Sequence, residues 1–428
     1  MSKAQQNQSK ILPFAVVAIL FAFFGFVTFA TGGLNGILQS TFNLPKGGWE
    51  SQLVFFAFFI ATIASANASS ALVSKIGYKN GMTVGLLFIA LGSFLFVPSA
   101  IYKSFYFFLG ALFITGVGNT VTQTAVNPYI TILGPIESAA RRISFMGIMN
   151  KFAGGLAPII LASAIAFAPN ASQNTKLSQI SSTYIWITLV FVAAAIVLFF
   201  IKMPEVENTS GNSNTSEKSN SKITDYPHLI LGVVTLFLYV GIETMVMGQS
   251  KAMGEAYGMP EIHTKFYNAL SSYGLIIGYL VGIAFIPKKI SQAKALAFCA
   301  STGIILSLVG IIIPESYTTS FSFINLVGFE GTTLVVPIKI LVFAAMGFSC
   351  SLVWPAVWPL AMQGLGSYTK NAAGWMMLAV VGGAIYPVIW GIFNQYGHPE
   401  SAFVLGLVSF AFILYYGTIG HKVGQRQS

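Results

Sequence analysis

The chain has 428 residues, 55% hydrophobic and 8% charged, against about 25% charged in an average soluble domain. That composition excludes a soluble globular protein and places the chain in lipid. The net charge of +10 would suggest nucleic acid as the partner of a soluble protein. Here it fits basic loops facing the cytoplasm, and no nucleic acid is expected.

Crossing a bilayer core of about 30 Å takes about twenty apolar residues. Twelve such runs occur, at 11–40, 50–73, 81–101, 104–131, 143–167, 181–201, 227–249, 264–286, 291–313, 335–360, 372–396 and 400–420. The segments on the side of the N-terminus hold 15 Lys and Arg, and those on the other side hold 5. This asymmetry predicts that both termini are cytoplasmic. The polar opening MSKAQQNQSK runs into the first span with no small-residue cleavage site and is expected to be retained.

The first span carries Thr28, Asn35 and Gln39 among Gly25, Gly32, Gly33 and Gly36. The glycines fit either close helix packing or a locally opened helix beside a cavity. Glu50 opens the second span at the interface. The fourth span carries Asn119, Thr120, Thr122, Gln123, Thr124 and Asn127, ending in Pro128; Asn119, Gln123 and Asn127 are four apart and share a face. A row of amides suits sugar hydroxyls, because each amide both donates and accepts. Interhelical hydrogen bonding is the other use such a row has.

In the fifth span, GIMNKFAGG at 147–155 puts Lys151 in an otherwise apolar or small run. It lies about 13 Å beyond Arg142 at 1.5 Å per residue. Residues 202–226 form the long hydrophilic segment, rich in Ser and Asn, and are expected to be a flexible cytoplasmic linker between residues 1–201 and 227–428. In the seventh span, FLYVGIETMVMGQ holds Glu243, the one acid well inside a span. It lies about 24 Å beyond Pro227, at or somewhat outside the midplane. A charge alone in hydrocarbon is costly, so Lys151 and Glu243 are expected to pair across the two halves. Lys339 opens the tenth span and is expected to snorkel to the outer surface. Trp354 and Trp358, four apart in the same span, suit stacking on the apolar face of a sugar, although packing and belt roles are common for membrane tryptophans.

The halves echo each other. TAVNPYI at 124–130 answers PAVWPLA at 355–361, FAGGLAP at 152–158 answers VGGAIYP at 381–387, and SKIGYK at 74–79 answers KKISQA at 288–293. The common order predicts a six-plus-six duplication, as in major facilitator transporters. The predicted fold is all-α, with twelve transmembrane helices in two pseudo-symmetric six-helix bundles. SALVSKIGYKN, after the second span, resembles a degraded form of that superfamily's loop signature: Lys75, Gly77 and Lys79 fit, while Ser74 stands where an acid is usual. Cys299 and Cys350 lie inside predicted spans, so no disulfide framework is expected. The histidines lie in loops or at span ends, and no buried Cys/His/acid cluster suggests a metal site, a cofactor or an enzyme.

TQTAVNPYITILG, RRISFMGIMNKFAGG, FLYVGIETM and GWMMLAVVGGAIYPVIWG together resemble the fucose:proton symporter family, most closely its glucose/galactose transporter branch. The resemblance implies an inner-membrane importer of hexoses driven by a cation gradient, H+ or Na+; a small sugar and the lipid bilayer are the expected partners, and a monomer is expected. It also implies residue roles. Asn35 matches a sugar-site Asn. Gln123 stands where proton-coupled fucose carriers have a glutamate, and Asn127 and Pro128 match the adjoining Asn-Pro. Asn150 matches the fifth-span Asn, and Glu243 matches a seventh-span acid of the glucose/galactose branch. The expected substrate-binding set is Asn35, Gln39, Asn119, Gln123, Asn127, Asn150, Trp354 and Trp358; Lys151 and Glu243 are expected to govern coupling.

Two departures stand out against that resemblance. Leu34-Asn35-Gly36 replaces Leu-Asn-Asp, and Lys151 replaces a small residue. At about 6 Å and an effective dielectric near 20, one unit charge changes an ion's energy by about 3 kcal/mol, enough to alter which ions bind. Lys151 is therefore expected to replace a coupling cation, to titrate, to face an anionic substrate such as a sugar acid, or to form a structural pair. Export of another small molecule stays open beside hexose import.

Overall fold

The computed structural model describes residues 3–45, 48–133, 139–165, 171–203, 223–286, 290–324, 331–365 and 369–424. The first half contributes α1 (Lys3–Phe42), α2 (Trp49–Ile76), α3 (Tyr78–Phe94), α4 (Phe96–Ile101), α5 (Phe105–Ile132), α6 (Ala139–Ala164) and α7 (Gln173–Phe200). The second contributes α8 (Pro227–Gly248), α9 (Ser250–Ala256), α10 (Glu261–Thr264), α11 (Tyr267–Phe285), α12 (Gln292–Ile312), strands β1 (Thr318–Ile324) and β2 (Gly331–Pro337), α13 (Ile338–Ser351), α14 (Val353–Ala361), α15 (Thr369–Leu378), α16 (Gly382–Gln395) and α17 (Ser401–Thr418). Among the described residues, 12 stretches are long and apolar enough to cross a membrane. Of the expected linker, 204–222 lie outside the described residues; Ile223–Asp225 form a single 3-10 turn.

Local sequence explains where the helices begin and break. Ser104, Ser172 and Ser291 each start a span by accepting a backbone N–H three residues on, which satisfies a donor that has no partner within the helix. A proline ring clashes with the carbonyl four residues before it. Accordingly α3 stops at Phe94, four before Pro98, and α13 stops at Ser351, four before Pro355. The spans expected as single helices at 81–101 and 335–360 are thus each two helices. Gly77, between α2 and α3, has φ +83; that left-handed conformation suits glycine and allows a one-residue turn. Next to it, Lys79 Nζ donates to the Phe199 carbonyl at 2.8 Å, so this loop lysine caps the C-terminal end of α7.

An all-α chain with loop at 314–334 was expected, and here the fold differs. Residues 318–324 and 331–337 form an antiparallel hairpin, with Thr318 opposite Pro337 and Ile324 opposite Gly331. Its alternating side chains explain the ladder: Leu334 and Val336 are buried, while Tyr267 on α11 donates its hydroxyl to the Val335 carbonyl at 2.6 Å. Residues 335–337, assigned above to the tenth span, belong to β2.

Within the first six spans α1 packs on α6 and α5 packs on α2 and α3; within the last six α11 packs on α13, α12 on α17 and α8 on α16. Two lateral seams join the halves, α2 with α16 and α6 with α11. The outward face of α7 is apolar, with Trp186 70% and Phe200 75% exposed, as a face against acyl chains should be. With an even number of spans, α1 starts and α17 finishes at one end of the bundle, the terminal end. The α1–α2 turn marks the far end.

Candidate functional site

The fifth and seventh spans meet in the interior. Lys151 on α6 and Glu243 on α8 are both buried, and their Nζ and Oε1 atoms are 2.9 Å apart. The pair expected from two solitary charges therefore forms, and it joins the halves. Its surroundings supply further support. Tyr239, one turn before Glu243, donates its hydroxyl to the same Oε1 at 2.5 Å. The Phe29 ring of α1 lies 4.8 Å below the ammonium, within cation–π range. Removing one partner from a buried pair costs about 3–5 kcal/mol, because the other charge is left unpaired.

The position of Lys151 depends on its neighbour. Asn150 is buried, and its amide donates to the Phe21 carbonyl of α1 at 3.2 Å. A Cβ at Gly25 would lie 2.1 Å from the Asn150 carbonyl oxygen, so only glycine lets α1 approach α6 this closely. Asn150, expected at the sugar, uses this bond to hold α6 to α1, which helps to aim Lys151 inward.

An aromatic wall continues from Tyr239. Its ring lies 6.4 Å from Trp354, and Trp354 stacks on Trp358 at 5.4 Å with an interplanar angle of 26°. Both indoles are half-buried. Each covers one face of the other, so the wall offers less free aromatic face than two separate rings would.

The fourth-span amides divide. Asn119 donates to Thr28 Oγ1 at 3.5 Å, and Thr120 bonds Thr62 at 3.2 Å; both tie α5 to its neighbours. Gln123 and Asn127 are half-buried and make no hydrogen bond to another described residue. They are the members of the row still available to a ligand.

A second polar cluster lies toward the far end. Asn35 on α1 is about 9 Å beyond Phe29, and Gln249 about 9 Å beyond Glu243, at six residues of 1.5 Å each. Asn35 Nδ2 donates to Gln52 Oε1 at 3.4 Å, and Gln249 Nε2 donates to the same oxygen at 2.8 Å. Gln52 on α2 and Gln249 between α8 and α9 are both completely buried. Neither was singled out in the sequence, since a glutamine near a span end is ordinary there. Asn35 Oδ1 and Gln249 Oε1 find no partner, and an unsatisfied buried acceptor costs about 1–3 kcal/mol. Gln39 bonds the Pro45 carbonyl at 2.7 Å and stabilises the α1–α2 turn.

Two lysines differ from expectation. Lys339 does not snorkel: it is 5% exposed, and its ammonium lies 5.6 Å from the Tyr257 ring, within cation–π range. Burial, followed by Glu315 and Glu400, pushes the Tyr257 hydroxyl up in pKa. Lys251 on α9, one of the 5 basic residues on the side away from the N-terminus, reaches back over α1. Its Nζ would be 3.3 Å from a Cβ at Gly36, and it pairs with Glu255 at 3.6 Å and Glu261 at 3.1 Å. The position of the missing acid is therefore covered by an ammonium from the other half. Among the described residues no group of three or more His, Cys, Asp or Glu side chains could hold a metal ion.

Comparison with known proteins bears on this geometry. Residues 15–380 match the sequence profile of the Major Facilitator Superfamily. The chain is similar to a glucose/galactose transporter of Brucella abortus, 32% identical over 98% of this chain and 97% of that one. It is also similar to a putative glucose/galactose transporter of Helicobacter pylori, 29% identical over 97% of this chain and 98% of that one. The fold is similar to the crystal structure of the E. coli fucose:proton symporter FucP (N162A), with a TM-score of 0.68 and 22% identity over 96% of this chain and 99% of that one.

Proposed function

Because the chain belongs to the major facilitator superfamily, and is a transporter and not an enzyme, we propose that it imports a hexose of the glucose and galactose kind by alternating access. Residues 1–201 and 227–428 act as two six-helix bundles, joined by the cytoplasmic linker 202–226. Both termini face the cytoplasm and the far end faces out, in the cell inner membrane. The names of the relatives support the sugar, and the excess of basic residues on one side supports the orientation.

The observation that carries the mechanism is the 2.9 Å ion pair between Lys151 and Glu243. A carboxylate buried inside a carrier must be neutralised when the cavity closes around it and excludes water. In a cation-coupled symporter a free ion from solution does this. Here a tethered ammonium does it, so no cation has to enter and leave with the sugar. The carrier is then a uniporter or only loosely coupled. Because the pair joins the halves, rocking changes the separation of α6 and α8, and substrate hydroxyls and water replace its contacts as it opens. Gln123, Asn127 and the half-buried indoles Trp354 and Trp358 line the route for the sugar. An anionic sugar acid would have to displace Glu243 from Lys151, while Tyr239 and Lys151 both hold that carboxylate. This favours a neutral substrate.

Counterflow in proteoliposomes tests the proposal. Labelled glucose or galactose should enter faster when the same sugar is trapped inside, with equal rates in sodium-free buffer and with a proton uncoupler. Strict dependence on sodium or on the proton gradient would remove the tethered cation but leave the hexose carrier. Uptake blocked by hexuronates and indifferent to hexoses would remove the hexose.

A further inference from the structure

The far-end amide cluster has a use that the ion pair does not exhaust. Gln249 is placed with care. It sits at the junction where α8 ends and α9 begins. Asn268 on α11 clamps that junction from both sides, donating to the Gly248 carbonyl at 3.2 Å and accepting the Lys251 N–H at 2.9 Å. The orientation of its amide is fixed too. Gln52 Oε1 accepts from both Gln249 and Asn35, so both nitrogens face Gln52 and both carbonyl oxygens are left over. One end of the shared bond belongs to the second span and the other to the end of the seventh. The bond must therefore break whenever the halves part at the far end.

These leftovers select a ligand class. Two unpartnered carbonyl oxygens require hydrogen-bond donors. Lys251 lines the cleft that Asn35 shares with Gly32, Gly36, Gln39, Gly248 and Glu255, and its ammonium is paired with the Glu255 carboxylate at 3.6 Å, so a further cation would have to compete with Lys251 for that acid. A neutral polyol meets the need, since each hydroxyl donates one bond and can accept another from the Gln249 nitrogen that Gln52 releases. In this structure the cleft is closed down to about the space of one water, so the exchange belongs to the opened state.

We propose that Gln249, presented by Gln52 in the closed state, binds a hydroxyl group of the sugar on the far-end side of the ion pair and helps to set which hexose is accepted. The proposal rests on the hexose-carrier reading and adds a contact residue to it. The Gln52–Gln249 bond is exchanged for a Gln249–hydroxyl bond when the far end opens, so closing that end and gripping the sugar compete for one amide.

The test pairs a residue change with a functional-group change. Equilibrium binding of the parent hexose and its 2-, 3-, 4- and 6-deoxy analogues is measured on the full-length wild type and on Gln249→Met, a substitution of similar length that lacks hydrogen-bonding atoms. In wild type one deoxy analogue should bind about tenfold more weakly than the parent, the size of one lost neutral hydrogen bond. In Gln249→Met that ratio should fall to about one, while the ratios for the other analogues persist. If Gln249→Met weakens the parent and all the analogues by one common factor, or changes none of them, the contact is overturned. If the Met variant does not melt cooperatively, Gln249→Asn, which keeps the amide and withdraws it by one methylene, should shrink the same single ratio, and an unchanged ratio again overturns the contact. A wild type that binds no hexose removes the transport reading and this contact together; a wild type that binds hexoses, with no analogue singled out by Gln249, removes the contact alone.

Discussion

The halves of the molecule meet at two polar places that are built differently. At Lys151 and Glu243 the charges are matched, and Tyr239 and Phe29 close around them. At Asn35, Gln52 and Gln249 the amides are bonded on one side only, and two carbonyl oxygens remain bare. The difference follows from what each group tolerates in low dielectric. An unpaired charge costs too much to leave exposed to hydrocarbon, whereas an unpaired amide oxygen costs little enough to be carried until a ligand arrives. The charged site therefore suits a contact that must always be balanced. The amide site suits a contact that is meant to be exchanged.

Four substitutions, two of them combined, would break or sharpen this contrast. Lys151→Met should have the largest effect, lowering stability by about 3–5 kcal/mol by stranding Glu243 and abolishing uptake. Adding Glu243→Gln to it should restore most of the melting temperature in detergent without restoring transport. If the double variant melts as low as the single one, the pair is not the source of the loss. Tyr239→Phe should cost less, about 1.5–3 kcal/mol for a hydrogen bond to a charged acceptor, and should leave Lys151 paired. Uptake should slow but stay indifferent to sodium; an acquired sodium requirement would show that Tyr239, not Lys151, keeps the carboxylate quiet. Gly36→Asp should have the smallest effect and the opposite sign. Its carboxylate would come within reach of the Lys251 ammonium, adding about 0.5–1 kcal/mol of partly exposed ion pairing. The far end would then hold shut more firmly, raising the melting temperature and slowing counterflow. Faster counterflow would show that Lys251 does not belong to that closure.

The sequence made one of these places legible and hid the other. Lys151 and Glu243 stand out because ionised residues are rare in hydrocarbon, so two of them in opposite halves already imply a pair. Gln52 and Gln249 are common residues at span ends, and only the fold brings them onto one oxygen. The twelve spans were readable from hydropathy alone. The breaks at Phe94 and Ser351 were readable in principle, since Pro98 and Pro355 stand four residues on, but a hydropathy run is blind to the clash that ends a helix. The hairpin of β1 and β2 lies between two hydropathy runs and so escapes a search for spans, although the β-branched and aromatic alternation of TTSFSFI and GTTLVV is a strand signal. Lys339 was misplaced because distance along the sequence from a span end does not show whether a tyrosine ring covers the ammonium. Asn150 was legible by resemblance, and nothing in its sequence context shows the bond that its amide makes to the α1 backbone.

The stacked indoles of Trp354 and Trp358 have a practical consequence. Two rings 5.4 Å apart and tilted by 26° couple their electronic transitions, and such coupling should imprint a signed pair of bands on the far-ultraviolet circular dichroism of the protein, where the strong indole transition lies. If a sugar slides between the rings or beside them, the tilt changes and the bands shrink or invert. The molecule thus carries an unlabelled optical gauge of occupancy, read without a tracer and without a membrane gradient.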